Sequence, residues 1–208
     1  MSIAQVATEK IAETSVQLND LIARRWSTRA FDPTKNIDTS TLLSILEAGR
    51  WAASSSNLQP WRFIVASKDK PAEFQKLLSV IKEGNQAWAQ HAGVLMIGVV
   101  NKYRRPEVIN RHASHDLGLA MAQMVLQALD HDIYARMIGS FYPDKAREVY
   151  NIPDQYEPFT AIAFRYKTLD LGYLNEEHRA KEIAPRQRQP LSELVYSGSW
   201  AQTADFVE

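Results

Sequence analysis

Apolar residues recur at helical spacing in six parts of the chain, and each part predicts a helix. The predicted helices cover, approximately, residues 16–25, 39–50, 71–81, 85–91, 112–130 and 143–150. In the stretch 112–130 apolar positions take up most of the helix circumference, which predicts a central or interface helix. Gly118 lies within it at a cost of about 1 kcal/mol relative to alanine. That cost suggests that another group packs closely against this position.

Shorter apolar runs predict four strands, at residues 62–66, 93–100, 134–138 and 159–166. The run 93–100 is nearly continuous, as expected for a strand buried on both faces. Strands and helices intermix without a regular βαβ repeat, which favours an α+β fold. From Leu169 onward the chain is charged and irregular, so we expect a tail outside the core that wraps a partner or is disordered. The predicted division is an N-terminal arm at 1–14, one domain at 15–168 and a C-terminal arm at 169–208.

Composition and charge narrow the function classes. The chain has 208 residues, 45% of them hydrophobic and 23% charged, which is typical of a globular domain. Lys and Arg together number 24, as do Asp and Glu, so the chain has no excess of positive charge that would attract nucleic acid. The chain has no cysteine, which excludes disulfides and thiolate chemistry. The longest apolar run is too short to cross a bilayer, and no secretory signal is recognisable, so we expect a cytoplasmic protein.

Residues 24–31, R-R-W-S-T-R-A-F, form the densest cluster of candidate chemistry. Three guanidinium groups and two hydroxyl groups at the end of a predicted helix suit a phosphate or another anion. A basic end of a solvated helix is the alternative, since cations there complement the helix dipole. A second guanidinium pair, Arg186 and Arg188, follows in the tail, and the loop 54–57 offers hydroxyl and amide donors.

Other catalytic signatures are missing from the sequence. Neither a nucleophile elbow nor a phosphate-binding glycine loop is present. His112, His115 and Asp116 could be read as metal ligands, but the rest of a coordination shell is not visible, and polar residues commonly start helices. We therefore predict no metal.

Three segments together resemble the FMN-dependent nitroreductase family. They are the octet at 24–31, the stretch L-x-x-I-L-E-A-G-R-W-A-A-S-S-S-N-L-Q-P-W-R-F-I-V at 42–65, and P-R-Q-R-Q-P-L at 185–191. The resemblance extends over about residues 18–195. It implies an α+β fold with a central, mainly antiparallel sheet flanked by helices. It also implies a homodimer with FMN at the subunit interface and a C-terminal arm exchanged between the subunits.

The resemblance also implies roles for individual residues. Arg25 and Ser27 match contacts to the FMN phosphate and ribityl chain, and Arg29 matches the cation at the flavin pyrimidine edge. Trp26 departs from the family, which usually has Arg or His there, and Ala53 replaces a common Pro. Arg24 has no implied cofactor contact, and we interpret it as the basic end of a solvated helix. The other implied cofactor contacts are Ser54, Ser55, Asn57 and Gln59 from the partner subunit, Asn85, Ile138 and Gly139 near the isoalloxazine, and Arg186 and Arg188 at the phosphate.

The implied activity is hydride transfer from NAD(P)H through flavin N(5) to a small acceptor such as a nitro compound, quinone or enone, by a ping-pong mechanism. The flavin carries the hydride chemistry, so the catalytic side chains stay unknown. Two alternatives stay open. One is another branch of the superfamily, such as a reductive dehalogenase, a flavin-fragmenting enzyme or a dehydrogenase/oxidase. The other is a flavin-binding or redox-sensing module without turnover. Binding to nucleic acid or membrane is not expected.

Overall fold

The computed structural model of the chain describes residues 10–207. Residues 1–9 of the predicted N-terminal arm lie outside the described residues. The helices are α1 (Asp20–Arg24), α2 (Thr39–Arg50), α3 (Pro71–Leu78), α4 (Glu83–Ala89), α5 (Ala113–Asp130), α6 (Pro143–Tyr150) and α7 (Glu176–Ile183). The strands are β1 (Trp61–Ser67), β2 (Val94–Asn101), β3 (Tyr103–Arg105), β4 (Val108–Ile109), β5 (Ile133–Ile138) and β6 (Tyr156–Tyr166).

The central sheet has the strand order β1-β2-β6-β5, and every neighbouring pair is antiparallel. The predicted α+β fold with a mainly antiparallel sheet flanked by helices is therefore confirmed. Strand β2 is buried on both faces because its side chains alternate between two apolar clusters. Leu95, Ile97 and Val99 point into the cluster that contains α3 and α4. Val94 and Met96 point into the cluster that contains α5.

Close approach of helix and sheet explains a glycine in β2. A Cβ atom on Gly98 would lie 2.7 Å from Cε of Met121 and 3.1 Å from Cδ1 of Leu117, both on α5. The register of β2 against β6 shifts between Gly98 and Val99, where Pro158 pairs. A proline without a donor N–H is tolerated at such an irregularity.

The structure corrects three predictions and adds one element that was not predicted. Helix α1 is only five residues long, shorter than the predicted stretch 16–25. The short hairpin β3–β4 was not predicted. Gly118 has open space around it within the described part of the chain, so the close packing predicted there does not come from this chain. The tail is the largest correction, because it is neither uniformly irregular nor wholly outside the core.

The tail contributes both a helix and core residues. Helix α7 begins after Asn175, whose side chain accepts a hydrogen bond from the backbone N–H of His178 at 2.8 Å. Ahead of it, Leu171 and Leu174 are buried in the same cluster as Trp88. The sequence pattern failed here because α7 is mostly charged and buries polar rather than apolar side chains. The exchange of the arm between subunits stays a prediction.

Candidate active site

A cavity of about 280 Å³ lies between the residues 24–31, strand β5 and the segment that follows α7. Its lining is rich in cations and contains no Asp or Glu side chain among the described residues. The cationic lining residues are Lys10, Arg25, Arg29, Arg136, Lys181, Arg186 and Arg188. The structure therefore brings together the two arginine clusters that are about 160 residues apart in the sequence, and it does so around one cavity.

Local backbone geometry explains how the octet presents its polar side chains. Helix α1 ends at Arg24, and the backbone of the next residue, Arg25, is already extended at φ −60° and ψ 122°. From there burial alternates: Trp26, Thr28 and Ala30 are buried, whereas the intervening side chains are half-buried. Period-two alternation is the pattern of an extended chain. The segment is fixed at its end by the bridge between Phe31 and Lys167.

Arg25, Arg186 and Arg188 form the most strongly cationic part of the cavity. Burial lowers the pKa of Arg25, and the nearby charges of Arg186 and Arg188 lower it further. The Arg25 guanidinium donates one long hydrogen bond, 3.5 Å from Nη1 to Oγ of Ser27. Arg186 is anchored through Nη1 to the carbonyl oxygens of Lys10 and Ala23, at 2.7 and 2.8 Å. The three guanidinium groups repel one another, and no carboxylate in the cavity lining offsets their charge. A bound anion would do so, and the three groups therefore form a site for an anion.

Arg29 and Arg136 form a second, drier cationic region. Nε of Arg29 is buried without a hydrogen-bond partner among the described residues. Burial lowers the pKa of Arg136 to about 10, with Arg29 as the next cause. Arg136 donates a hydrogen bond to the Ser27 carbonyl, and its guanidinium lies 5.4 Å from the centre of the Trp88 ring. Desolvated cations of this kind interact strongly with developing negative charge, because the local dielectric is low.

Four residues of this region were missed by sequence reasoning: Arg136, Lys10, Lys181 and Glu182. Arg136 had a recognisable signal, since it is a charged residue within the predicted strand 134–138. Lys10, Lys181 and Glu182 had none. Only contacts between distant segments bring Lys10 and Lys181 to the cavity lining and place Glu182 behind it, against Thr28.

The predicted polar loop does not line this cavity. Ser55–Asn57 form a single 3-10 turn, and φ is positive at Ser56 and Asn57. The loop is held from within the chain: the N–H of Ser55 donates to Oδ2 of Asp116 at 3.1 Å, and the N–H of Gln59 donates to Oγ of Ser54 at 3.0 Å. The assigned roles of Ser54, Ser55, Asn57 and Gln59 at a partner's cofactor stay predictions.

The remaining predicted contacts also lie outside the cavity lining. Oδ1 of Asn85 accepts a hydrogen bond from Nε1 of Trp88 at 3.0 Å, which links Asn85 to the ring under Arg136. Ile138 is buried at the end of β5, and Gly139 follows with open space where a Cβ atom would stand. Their predicted contacts to an isoalloxazine are not tested by the geometry of this chain.

Of the residues considered as metal ligands, Asp116 has a structural role. Asp116 is buried, receives the Ser55 N–H, and lies 3.2 Å from Nδ1 of His115. Within residues 10–207, no group of three or more His, Asp or Glu side chains is placed to hold a metal ion. In the same range, no helix is both long and apolar enough to span a membrane.

Comparison with known proteins gives concordant matches. A solved structure described as an oxidoreductase containing FMN superposes with a TM-score of 0.86 at 30% identity, covering 92% of this chain and 96% of that one. An FMN-dependent nitroreductase from Clostridium difficile shares the fold at 20% identity and a TM-score of 0.63, covering 81% and 98%. The oxygen-insensitive NAD(P)H nitroreductase of Salmonella typhimurium is 43% identical over 47 residues, 23% of this chain and 22% of that protein.

Alignments with curated relatives named NAD(P)H nitroreductases cover only 21% to 51% of the length of those relatives. The family model matches a longer part of the chain than most of these alignments do. The model described as the nitroreductase family matches residues 22–166, well over half of the chain, and includes the octet and strand β5 but not Arg186 or Arg188. With the antiparallel sheet and the clustered arginines, this match establishes that the chain belongs to the nitroreductase family.

Proposed function

We propose that this protein is an FMN-dependent oxidoreductase that uses NAD(P)H to reduce a small oxidised acceptor of the nitro, quinone or enone type. The single observation that carries the proposal is the cationic cavity, where Arg25, Arg186 and Arg188 converge without a carboxylate in the lining. Family membership and the FMN-containing structure at 30% identity support the same cofactor.

The residues present fit FMN in two respects. A phosphate group would supply the negative charge that the three arginines lack, and Ser27 adds a hydroxyl at the same place. The unpartnered Nε of Arg29 is a buried donor that calls for an acceptor, and a carbonyl at the pyrimidine edge of a flavin would provide one. FMN, when bound, supplies the hydride chemistry of the reaction.

The protein contributes orientation and electrostatics. Arg29 and Arg136 place positive charge in a desolvated region, where it would stabilise negative charge that reduction puts on a bound cofactor. Arg136, whose guanidinium lies over the Trp88 ring, holds the Ser27 backbone through a hydrogen bond to its carbonyl. No side chain of the cavity lining is assigned as an acid or base, because protons for the acceptor can come from solvent.

The proposal includes a homodimer in which the loop with Ser54 and Asn57 completes the partner's site. This loop lies outside its own chain's cavity and is held in a defined conformation. Leu43 of the adjacent helix α2 and Trp51, which directly follows that helix, are 60% and 71% exposed, and a partner surface would cover such apolar groups. Light scattering should give twice the chain mass of 23.6 kDa, whereas a monomer with full FMN occupancy would contradict this part of the proposal.

The cofactor and activity are tested on the purified protein. We expect a yellow protein that releases FMN on denaturation, is bleached by NADH or NADPH, and consumes reductant when a quinone or nitroaromatic is added. A colourless protein that cannot be reconstituted with FMN would refute the proposal. FMN binding and bleaching without turnover across an acceptor panel would instead favour a redox-sensing module, and a panel with halogenated substrates separates the other branches of the superfamily.

A further inference from the structure

Helix α7 carries a buried carboxylate that no motif of the sequence indicated. Glu182 has no exposed surface. One carboxylate oxygen accepts a hydrogen bond from the Thr28 hydroxyl, and the other accepts from the backbone N–H of Arg29 at 3.0 Å. These contacts join two segments separated by more than 150 residues, and Glu182 lies beyond the residues that the family model matches.

Glu182 contacts the octet through the Thr28 hydroxyl and the backbone N–H of Arg29. Burying a carboxylate is costly unless hydrogen bonds satisfy it, and Thr28 and Arg29 supply one donor to each oxygen. The charge of Glu182 is felt by the surrounding cations, and it raises the pKa of Lys10, Arg29 and Arg136 against the effect of burial. The guanidinium of Arg29 keeps an unpartnered Nε, so Glu182 holds the Arg29 backbone and leaves a side-chain donor for a ligand.

Glu182 also sits directly before the segment that carries the tail arginines. Two residues later, the carbonyl of Ala184 accepts a hydrogen bond from the Lys10 ammonium. Arg186 then donates to the backbone of Lys10 and Ala23. The docking of Glu182 onto the octet therefore adjoins the contacts that hold the segment 184–188 beside Arg25.

We propose that Glu182 is a positioning residue of the cofactor site: it locks the octet to α7, so that Arg29 and the tail arginines are held in register around one ligand. This inference rests on the proposed function for the identity of the ligand. The positioning itself is a property of the chain without cofactor.

The charge of Glu182 should also influence the midpoint potential of bound FMN. It is the carboxylate that touches the Arg29 backbone, and its charge opposes the field of Arg29 and Arg136. Replacing it with a neutral group makes the site more positive, which stabilises an anionic reduced flavin. The midpoint potential of bound FMN should therefore become more positive when this charge is removed.

The experiment compares Glu182→Gln with Glu176→Gln, which removes the same charge from an exposed position on the same helix. In the wild type the Thr28 hydroxyl and the Arg29 N–H each have their own carboxylate oxygen. Glutamine puts an NH₂ group in place of one oxygen and carries no charge, so one donor loses its acceptor position and the other loses a charge-assisted hydrogen bond. In the protein without cofactor, hydrogen exchange should accelerate at the Arg29 amide and across residues 184–188 for Glu182→Gln. Glu176→Gln should exchange like the wild type.

With FMN, Glu182→Gln should lower affinity about tenfold, as expected for the loss of one charge-assisted hydrogen bond that orders the site. It should also raise the reduction equilibrium constant of bound FMN by about tenfold, which is about 30 mV for a two-electron couple. Glu176→Gln should change neither quantity. A purely structural role for Glu182 would leave the potential of the bound flavin at the wild-type value and would overturn the electrostatic part of the inference.

Thr28→Val is the second variant, because it keeps the test open if Glu182→Gln does not fold. Without changing charge, it removes the hydrogen bond to Glu182 and the one that the Thr28 hydroxyl accepts from the Ala30 N–H. It should accelerate exchange at Arg29 and across 184–188 but leave the flavin potential unchanged. Unchanged exchange in both Glu182→Gln and Thr28→Val would refute the positioning role. Failure of the wild-type protein to bind FMN would refute the proposed function instead, and the exchange experiment would still decide the positioning.

Discussion

Adjacent arginines in the octet allow a sharp test of the anion site. Arg25 lines the cavity, whereas Arg24 does not and pairs with two exposed carboxylates. Its Nε lies 2.7 Å from Oδ2 of Asp20 and its Nη1 lies 3.4 Å from Oδ1 of Asp132. Arg25→Gln and Arg24→Gln remove the same charge one residue apart. Only the first should affect binding of a phosphate.

The magnitude follows from the surroundings of Arg25. Its guanidinium has one weak hydrogen bond, to Ser27, and is destabilised by burial and by two neighbouring arginines. A charge-assisted hydrogen bond to a phosphate is worth about 1.5–3 kcal/mol, so Arg25→Gln should lower FMN affinity about 10- to 100-fold. Without cofactor the same substitution relieves repulsion and should raise the free energy of unfolding, by at most about 0.5 kcal/mol.

The assay is a titration of apoprotein with FMN and, in parallel, with riboflavin, which lacks the phosphate. Arg25→Gln should weaken FMN binding and leave riboflavin binding within about twofold, because the lost contact is to the phosphate. Arg24→Gln should leave both affinities unchanged. Equal loss of FMN affinity in the two variants, or equal loss of FMN and riboflavin affinity in Arg25→Gln, would refute the assignment of Arg25 to the phosphate.

Two further predictions concern stability. Burial, followed by the charge of Arg29, lowers the pKa of His178 below its ordinary value of 6.5. The unfolded chain then binds more protons, so the free energy of unfolding should fall as the pH drops below about 6.5 and level off once the folded-state pKa is passed. Urea denaturation from pH 8 to 5 should show this fall, and His178→Gln should reduce it; an unchanged profile would contradict the assignment. In α5, Gly118→Ala should raise the free energy of unfolding by about 0.5–1 kcal/mol, because a Cβ atom there meets open space in the described chain. Gly49→Ala should give no such gain, because its Cβ would lie 2.0 Å from Cε of Met124; destabilisation by Gly118→Ala in a denaturant titration would contradict the open environment.

The sequence by itself determined the elements whose signal is local. The continuous apolar run predicted β2, and the apolar circumference predicted α5, because burial on several sides requires apolar residues on all of them. The resemblance of the octet to the nitroreductase family singled out Arg25, Ser27 and Arg29, and the structure places all three at one cavity. The same resemblance, through the motif at 185–191, singled out Arg186 and Arg188, which line that cavity too.

Tertiary structure alone decided which distant residues meet. Helix α7 escaped prediction because it docks through Glu182 and His178, and polar contacts leave no hydrophobic periodicity in the sequence. Arg136 became part of the site because β5 pairs with the middle of the sheet beside the octet. The charge balance of the cavity, with guanidinium groups crowded against each other and Glu182 behind them, depends on distances between chain segments. Such distances arise only when the whole sheet has formed.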